Sequence, residues 1–85
     1  MSIYKIGDRE WTIEYTNDLP SPDDGDCLES QRRIRVRKTL RGKDRLWTLI
    51  HECLHAAIPD HSEDAVDKVA YDIAGVIFGE GFRRR

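Results

Sequence analysis

The chain has 85 residues, of which 39% are hydrophobic and 35% are charged, and its formal net charge at pH 7 is −2. These values predict one small globular domain spanning residues 1–85 with a single core, and they exclude a disordered chain. The longest apolar run, residues 73–78, is far below the roughly 20 residues that span a bilayer, and residues 1–10 contain no apolar stretch of signal-peptide length, so we expect a cytoplasmic protein with no membrane partner.

Two segments in the N-terminal half have the alternating pattern of half-buried strands. In residues 10–16 (EWTIEYT) and residues 33–37 (RIRVR), every second side chain is apolar. The intervening residues 17–26 contain two prolines, a glycine and four aspartates, which is typical of a loop. We therefore predict two antiparallel strands, with a third around residues 27–31, all within about residues 10–38.

Two amphipathic helices follow the strands. Residues 43–57 carry apolar side chains at helical spacing, and Pro59 ends this helix because the residue before a proline is disfavoured in the helical region. The second helix, residues 62–79, begins at Ser62, a favourable N-cap residue. The predicted buried residues are Leu46, Ile50, Cys53, Leu54 and Ala57 in the first helix and Val66, Val69, Ala70, Ile73 and Ile77 in the second. Residues 80–85 are predicted to form a tail.

The order of these elements defines the class of domain. Strands followed by helices predict an α+β fold, in which a small N-terminal antiparallel sheet packs on two C-terminal helices. Cys27 and Cys53 are too few for a disulfide framework and belong to no CxxC pair, so we expect both thiols to be reduced. Cys53 is expected to fill space in the core.

The first helix contains the motif HExxH at residues 51–55 (HECLH). Residues four apart lie on one face of a helix, so His51 and His55 are able to bind a single ion. Glu52 lies beside them, in the position of a general base for a zinc-activated water. The alternative is a surface helix with two histidines by chance, but the chain has only three histidines. The motif therefore predicts a zinc site.

A catalytic zinc site needs a third protein ligand. The candidates are Asp60, His61, Glu63 and Asp64. His61 stands ten residues after His51, as in the pattern HExxHxxGxxH, but Ile58 occupies the position where that pattern requires glycine. Glu63 precedes two predicted buried residues of the second helix at helical spacing, which turns its side chain toward the first helix. We favour Glu63 and keep His61 as an alternative third ligand or an oxyanion donor.

The helix pair resembles a known group of enzymes. Residues 46–57 (LWTLIHECLHAA), followed by SEDAVDKVAYDIA, resemble the compact zincin-like metallopeptidases common in bacteriophage genomes, which are related in style to the SprT-like and ImmA/IrrE metallopeptidases. The resemblance covers about residues 33–82. It implies a minimal zincin fold, one Zn²⁺ per chain held by His51, His55 and Glu63 as in gluzincins, and hydrolysis of a peptide or protein substrate.

The mechanism implied by this resemblance assigns roles to further residues. Glu52 would accept a proton from water and pass it to the leaving amine. Tyr71 and His61 are the candidates for an oxyanion donor, although an aromatic residue on a helix face more often packs. The substrate would bind as an added strand, and residues 33–37 are the candidate edge for it.

The charge distribution suggests a second interpretation. Residues 32–45 contain eight basic residues and one acidic residue, whereas residues 1–30 contain eight acidic residues and two basic ones. Arg33, Arg35 and Arg37 lie on one strand face, where they either pair with the acidic N-terminal segment or form a patch for nucleic acid. The alternative function is therefore a zinc-stabilised binding or regulatory module without catalysis, associated with nucleic acid through this segment.

Overall fold

The computed structural model describes residues 1–20 and 22–81, and it confirms the predicted α+β fold. A four-stranded sheet precedes two helices. The elements in chain order are β1 (Ser2–Ile6), β2 (Arg9–Thr16), β3 (Gly25–Leu28), a short 3-10 helix (Glu29–Gln31), β4 (Arg33–Arg37), α1 (Gly42–Ala57) and α2 (Glu63–Gly79). Of the predicted tail, residues 82–85 lie outside the described residues. Neither α1 nor α2 is long and apolar enough to cross a membrane, within the part of the chain described.

The pairing of the strands differs from the prediction. The sheet order is β1-β2-β4-β3, with β1 antiparallel to β2 and β3 antiparallel to β4. The central pair, β2 and β4, is parallel, so the predicted antiparallel pairing of residues 10–16 with residues 33–37 is wrong. The reason is that β3 reverses the chain once before β4 reverses it again. β4 therefore runs in the direction of β2 and inserts between β2 and β3.

Strand β1 was not predicted from the sequence. It pairs with β2 through a two-residue turn, Gly7-Asp8, whose φ angles of 56° and 70° are both positive. Two left-handed residues joining antiparallel strands form the hairpin turn whose twist matches that of the strands. The sequence of β1 does not alternate because Ile3 and Tyr4 are adjacent, and both are exposed in the structure. The turn dipeptide Gly7-Asp8 was therefore the usable signal.

The core lies between the sheet and α1. Trp11, Ile13, Ile34 and Val36 are buried on the inner face of the sheet. The residues of α1 that pack against them are Leu49, Cys53 and Ala56. The predicted role of Cys53 in the core is thus confirmed, whereas the predicted stripe omitted Leu49 and Ala56 and included Ala57, which is exposed. The stripe is displaced because α1 contacts the sheet on one side and α2 on the other.

Helix α2 packs on α1 through a narrow face. Ser62 caps it as predicted, because its Oγ accepts a hydrogen bond from the Ala65 amide at 3.2 Å. Its buried residues, Val66, Ala70 and Ala74, are spaced by four. The prediction that Val69 and Ile73 are buried is wrong, since they are 43% and 39% exposed. A helix that contacts a single neighbouring helix buries only a narrow stripe.

The outer face of the sheet carries the arginines of β4. Arg33 pairs with Glu14 at 3.2 Å, and Arg35 binds both carboxylate oxygens of Asp26 at 2.9 and 2.5 Å. Arg37 donates to the backbone oxygen of Asp23 and lies 3.6 Å from the Asp24 carboxylate. The arginines therefore pair with the acidic N-terminal segment, which is the first of the two roles predicted for them.

Gly25 sets the distance between β3 and α1. It occupies the sheet row of Val36, which faces the core. A Cβ atom at this position would lie 2.8 Å from Cγ2 of Thr48 and 2.9 Å from the backbone oxygen of Arg35, with Cγ of Glu52 at 3.3 Å. The absence of a side chain therefore allows α1 to approach the edge of the sheet next to Glu52.

We expect Gly25→Ala to lower the free energy of unfolding by about 1–3 kcal/mol, because the added methyl group overpacks the interface between α1 and β3. The matched control is Gly79→Ala, since a Cβ there meets no atom within 4 Å. This control is expected to leave stability unchanged or to raise it by up to about 1 kcal/mol. Urea unfolding of both variants measures the difference, and equal stabilities would contradict the proposed close contact.

Candidate metal centre

Helix α1 presents the two histidines of the HExxH motif side by side. The imidazole centroids of His51 and His55 are 4.8 Å apart, and their Nε2 atoms are 3.1 Å apart. The two side chains are 16% and 22% exposed. Because their separation of four residues is about one helical turn, the rings share one face and both direct Nε2 to the same point.

The first residue of α2 completes this group. Oε1 of Glu63 lies 2.6 Å from Nε2 of His51 and 3.2 Å from Nε2 of His55. Partial desolvation raises the pKa of Glu63, but hydrogen bonds to His55 and His51 outweigh this effect, and the pKa is lowered. Ser62 ends the loop and starts α2, so the position of Glu63 follows from the helix cap. We call His51, His55 and Glu63 the three-ligand group.

The distances in the three-ligand group fit a small cation. Its ligand atoms lie within 4.8 Å of one another. Donors of a tetrahedral ion at about 2.0–2.1 Å from the metal lie roughly 3.3 Å apart, so an ion requires only small shifts of the side chains. Two imidazole nitrogens and a carboxylate oxygen repel one another at these distances unless a proton or a cation lies among them. Nitrogen and oxygen donors are also the set that zinc accepts in catalytic sites.

Asp67, which the sequence analysis did not single out, contacts the far side of His51. Its Oδ1 lies 3.3 Å from Nδ1 of His51, the ring nitrogen that faces away from Glu63. A carboxylate at Nδ1 favours the tautomer with its proton there, which leaves the lone pair of Nε2 free to bind a metal. The usable sequence signal was that Asp67 follows Glu63 by four residues and so lies on the same face of α2.

Glu52 is the one charged side chain buried among the residues that the structure describes. It is 8% exposed and makes no hydrogen bond or ion pair with any of those residues. Burial raises the pKa of Glu52 above its ordinary value, and the neighbouring imidazoles of His51 and His55 oppose this shift. The carboxylate lies beside the imidazoles, at two cavities, where a proton acceptor is able to act on a bound molecule.

An open cavity of about 640 Å³ adjoins these residues, and we call it the first cavity. Its lining includes the three-ligand group, Glu52 and Cys27. Burial, together with the charges of Glu52 and Glu29, raises the pKa of Cys27 to about 11. Cys27 does not belong to the group of ligand atoms that lie within 4.8 Å of one another among the described residues, so the geometry gives no support to it as a metal ligand.

The other sequence candidates lie elsewhere. His61 is exposed, does not line the first cavity and donates its backbone amide to the carbonyl of Ile58 at 3.2 Å. Asp60 and Asp64 are also exposed and outside that cavity. Tyr71 packs edge-on against Trp47, with ring centroids 5.5 Å apart, and Nζ of Lys43 lies 4.8 Å from its ring centroid. The structure therefore brings Glu63, but not His61 or Tyr71, to the histidine pair.

Comparison with known proteins gives no assignment: no family model, curated protein or solved structure matches this chain. The resemblance to zincin-like metallopeptidases thus depends on the HExxH helix and the segment that follows it.

The choice of third ligand leads to a direct prediction. We expect the purified protein to bind about one zinc ion per chain. Glu63→Ala is expected to weaken zinc binding by more than about 100-fold. A residue that only holds a metal ligand in position already contributes about 10–100-fold to metal affinity, and a ligand itself contributes more. His61→Ala is expected to bind zinc normally. Competition with a chromophoric chelator measures the zinc affinity of both variants. Loss of zinc from the His61 variant alone would show that His61, and not Glu63, is the third ligand.

The position of Asp67 leads to a second prediction. Asp67→Asn should weaken zinc binding about 10–100-fold while the fold is retained, because the amide no longer favours the metal-binding tautomer of His51. Asp64→Asn removes the same charge from an exposed position of α2 and serves as the control. Equal zinc affinities of the two variants would show that Asp67 does not orient the ring.

Proposed function

We propose that this protein is a zinc-dependent metallopeptidase in which His51, His55 and Glu63 hold the metal and Glu52 is the general base. The observation that carries the proposal is the burial of Glu52, without a polar partner among the described residues, beside the three-ligand group. A purely structural zinc site has no use for a desolvated carboxylate that binds nothing, because its burial costs stability. A hydrolytic site uses such a group as its general base.

Each group of the proposed site has a separate chemical role. A zinc ion, when bound, supplies a Lewis acid that polarises the scissile carbonyl and lowers the pKa of water to roughly 7. Glu52 takes a proton from the attacking water and transfers it to the leaving amine. Desolvation favours proton transfer to Glu52 because it raises the pKa of the carboxyl group. Asp67 fixes the orientation of the imidazole ring of His51.

The substrate is proposed to bind along β3. The predicted edge, residues 33–37, is wrong, because β4 lies inside the sheet between β2 and β3. Strand β3 is an edge strand, and its residues Gly25, Asp26 and Cys27 line the first cavity. An extended peptide that adds to this edge gains main-chain hydrogen bonds and passes the three-ligand group.

The non-catalytic alternative is supported less well. Nucleic-acid binding through residues 32–45 stays a prediction, and the ion pairs of Arg33 and Arg35 already neutralise part of this segment. Both cysteines are free, which fits a reducing compartment such as the cytoplasm, or the host cytoplasm for a phage-encoded protein.

The proposal predicts that Glu52→Gln lowers the rate of peptide cleavage by about 10²–10⁴-fold, because the amide accepts no proton. The zinc content should stay at one ion per chain, since Glu52 is not a ligand. Cleavage of a mixed peptide library, followed by mass spectrometry, provides the measurement.

Two controls accompany this experiment. Removal of zinc by a chelator should abolish cleavage, and added zinc should restore it. Normal cleavage by the Glu52 variant, or no cleavage of any library peptide by the zinc-loaded wild-type protein, would contradict the proposed function.

A further inference from the structure

A second cavity lies on the other side of Glu52 from the first. Its volume is about 210 Å³, and it shares Asp23, Gly25, His51 and Glu52 with the first cavity. The first cavity extends to Glu29, and the second extends to Asp44 and Trp47. A ligand that passes along β3 and over the three-ligand group therefore has one cavity on each side of the reacting centre.

Among the residues that the structure describes, the two cavities are lined by eight different carboxylate residues and by no lysine or arginine. Several of these carboxylates already have partners in the protein. Asp26 pairs with Arg35, Asp24 with Arg37, and Glu63 and Asp67 with His51. The arginines lie on the outer face of the sheet and compensate Asp26 and Asp24. Glu63 and Asp67 instead contact the imidazole of His51 in the three-ligand group.

Three carboxylates remain uncompensated besides Glu52. The side chains of Asp23, Glu29 and Asp44 are exposed and make no ion pair with any of residues 1–20 or 22–81. Of these two cavities, Glu29 lines the first, Asp44 lines the second, and Asp23 lines both. Glu29 also lines an adjoining cavity whose lining includes Arg9. Negative charge is therefore available on each side of the reacting centre, where it concentrates cations from solution.

A buried carboxylate without a partner points to a ligand in this region. Glu52 lines both cavities, is more than nine-tenths buried and has no polar partner among the described residues. Trp47 lines the second cavity together with Asp44. An indole ring next to a carboxylate is a favourable surface for a guanidinium or ammonium group.

We propose that the cavities on either side of Glu52 select a basic peptide, with an arginine or lysine side chain of the substrate on each side of the scissile bond. Glu29 and Asp23 contact the basic side chain in the first cavity, and Asp44 and Trp47 contact the one in the second. The inference rests on the proposed function for cleavage, but the selective binding of a basic peptide is separable from it.

The test uses the zinc-loaded full chain and three fluorescein-labelled ten-residue peptides. The peptides differ only at two central positions, which are arginine, alanine or glutamate. Fluorescence anisotropy at low salt should show the arginine peptide binding at least about tenfold more tightly than the glutamate peptide, and the difference should shrink at high salt because exposed charges are screened.

Matched variants assign this preference to the cavities. Asp44→Asn and Glu29→Gln should each weaken binding of the arginine peptide about two- to fivefold, the range for a screened surface ion pair, and should affect the alanine peptide less. Glu80→Gln, an exposed carboxylate that lines neither cavity, should change nothing. Unchanged affinity in the Asp44 and Glu29 variants would overturn the proposal.

Cleavage of the same peptides, followed by mass spectrometry, separates the two proposals. Selective binding of the arginine peptide without cleavage would refute the peptidase and leave the binding preference intact. Cleavage of all three peptides at equal rates would refute the preference and leave the peptidase intact. Stoichiometric binding of Ca²⁺ that is lost in Asp44→Asn, with no preference among the peptides, would show that the carboxylates serve a cation instead.

Discussion

The packing of α2 against α1 is the contact on which the candidate site depends. The small face of Val66, Ala70 and Ala74 lets the two helices approach closely. The Ser62 cap then starts α2 where Glu63 reaches both imidazoles of α1. Three ligand atoms on two helices thus meet at one point, an arrangement that is favourable only with a proton or a cation among them. A metal at this point would link the helices of a chain too short to bury a large core.

A second close contact accounts for Glu52. Because Gly25 has no side chain, β3 lies against α1 at Thr48 and Glu52. The side chain of Glu52 is consequently only 8% exposed, although no described residue forms a hydrogen bond or an ion pair with its carboxylate. Burial of such a group destabilises the fold, and the raised pKa of Glu52 is the chemical consequence of its burial. The same edge of β3 is the place where an extended chain is able to pair.

The sequence predicted those parts of the molecule that depend on local spacing. The helices, the Ser62 cap and the shared face of His51 and His55 all follow from the periodicity of the α-helix. The relative direction of β2 and β4 did not follow, because it depends on the reversal of the chain at β3, which lies in a segment rich in turn residues. Long-range pairing of strands leaves no comparable pattern in a single sequence.

The sequence analysis missed several residues because their roles depend on contacts between segments that are distant in the chain. Gly25 was predicted to lie in a loop. Its role, which is to leave room for a contact between distant segments, has no local sequence pattern. Asp67 resembled other acidic residues on an exposed helix face until α1 was placed against it. The free carboxylates beside the two cavities likewise gained significance only when the pairing of Asp24 and Asp26 with arginines was known.

The central claim is that two imidazoles and one carboxylate bind the metal. X-ray absorption at the zinc edge of the purified protein, loaded with one equivalent of zinc, tests it directly. The account predicts only nitrogen and oxygen neighbours at about 2.0–2.1 Å, with the outer scattering of two imidazole rings. A sulfur neighbour at about 2.3 Å, which would place Cys27 on the metal, or a spectrum with fewer than two imidazoles, would contradict it.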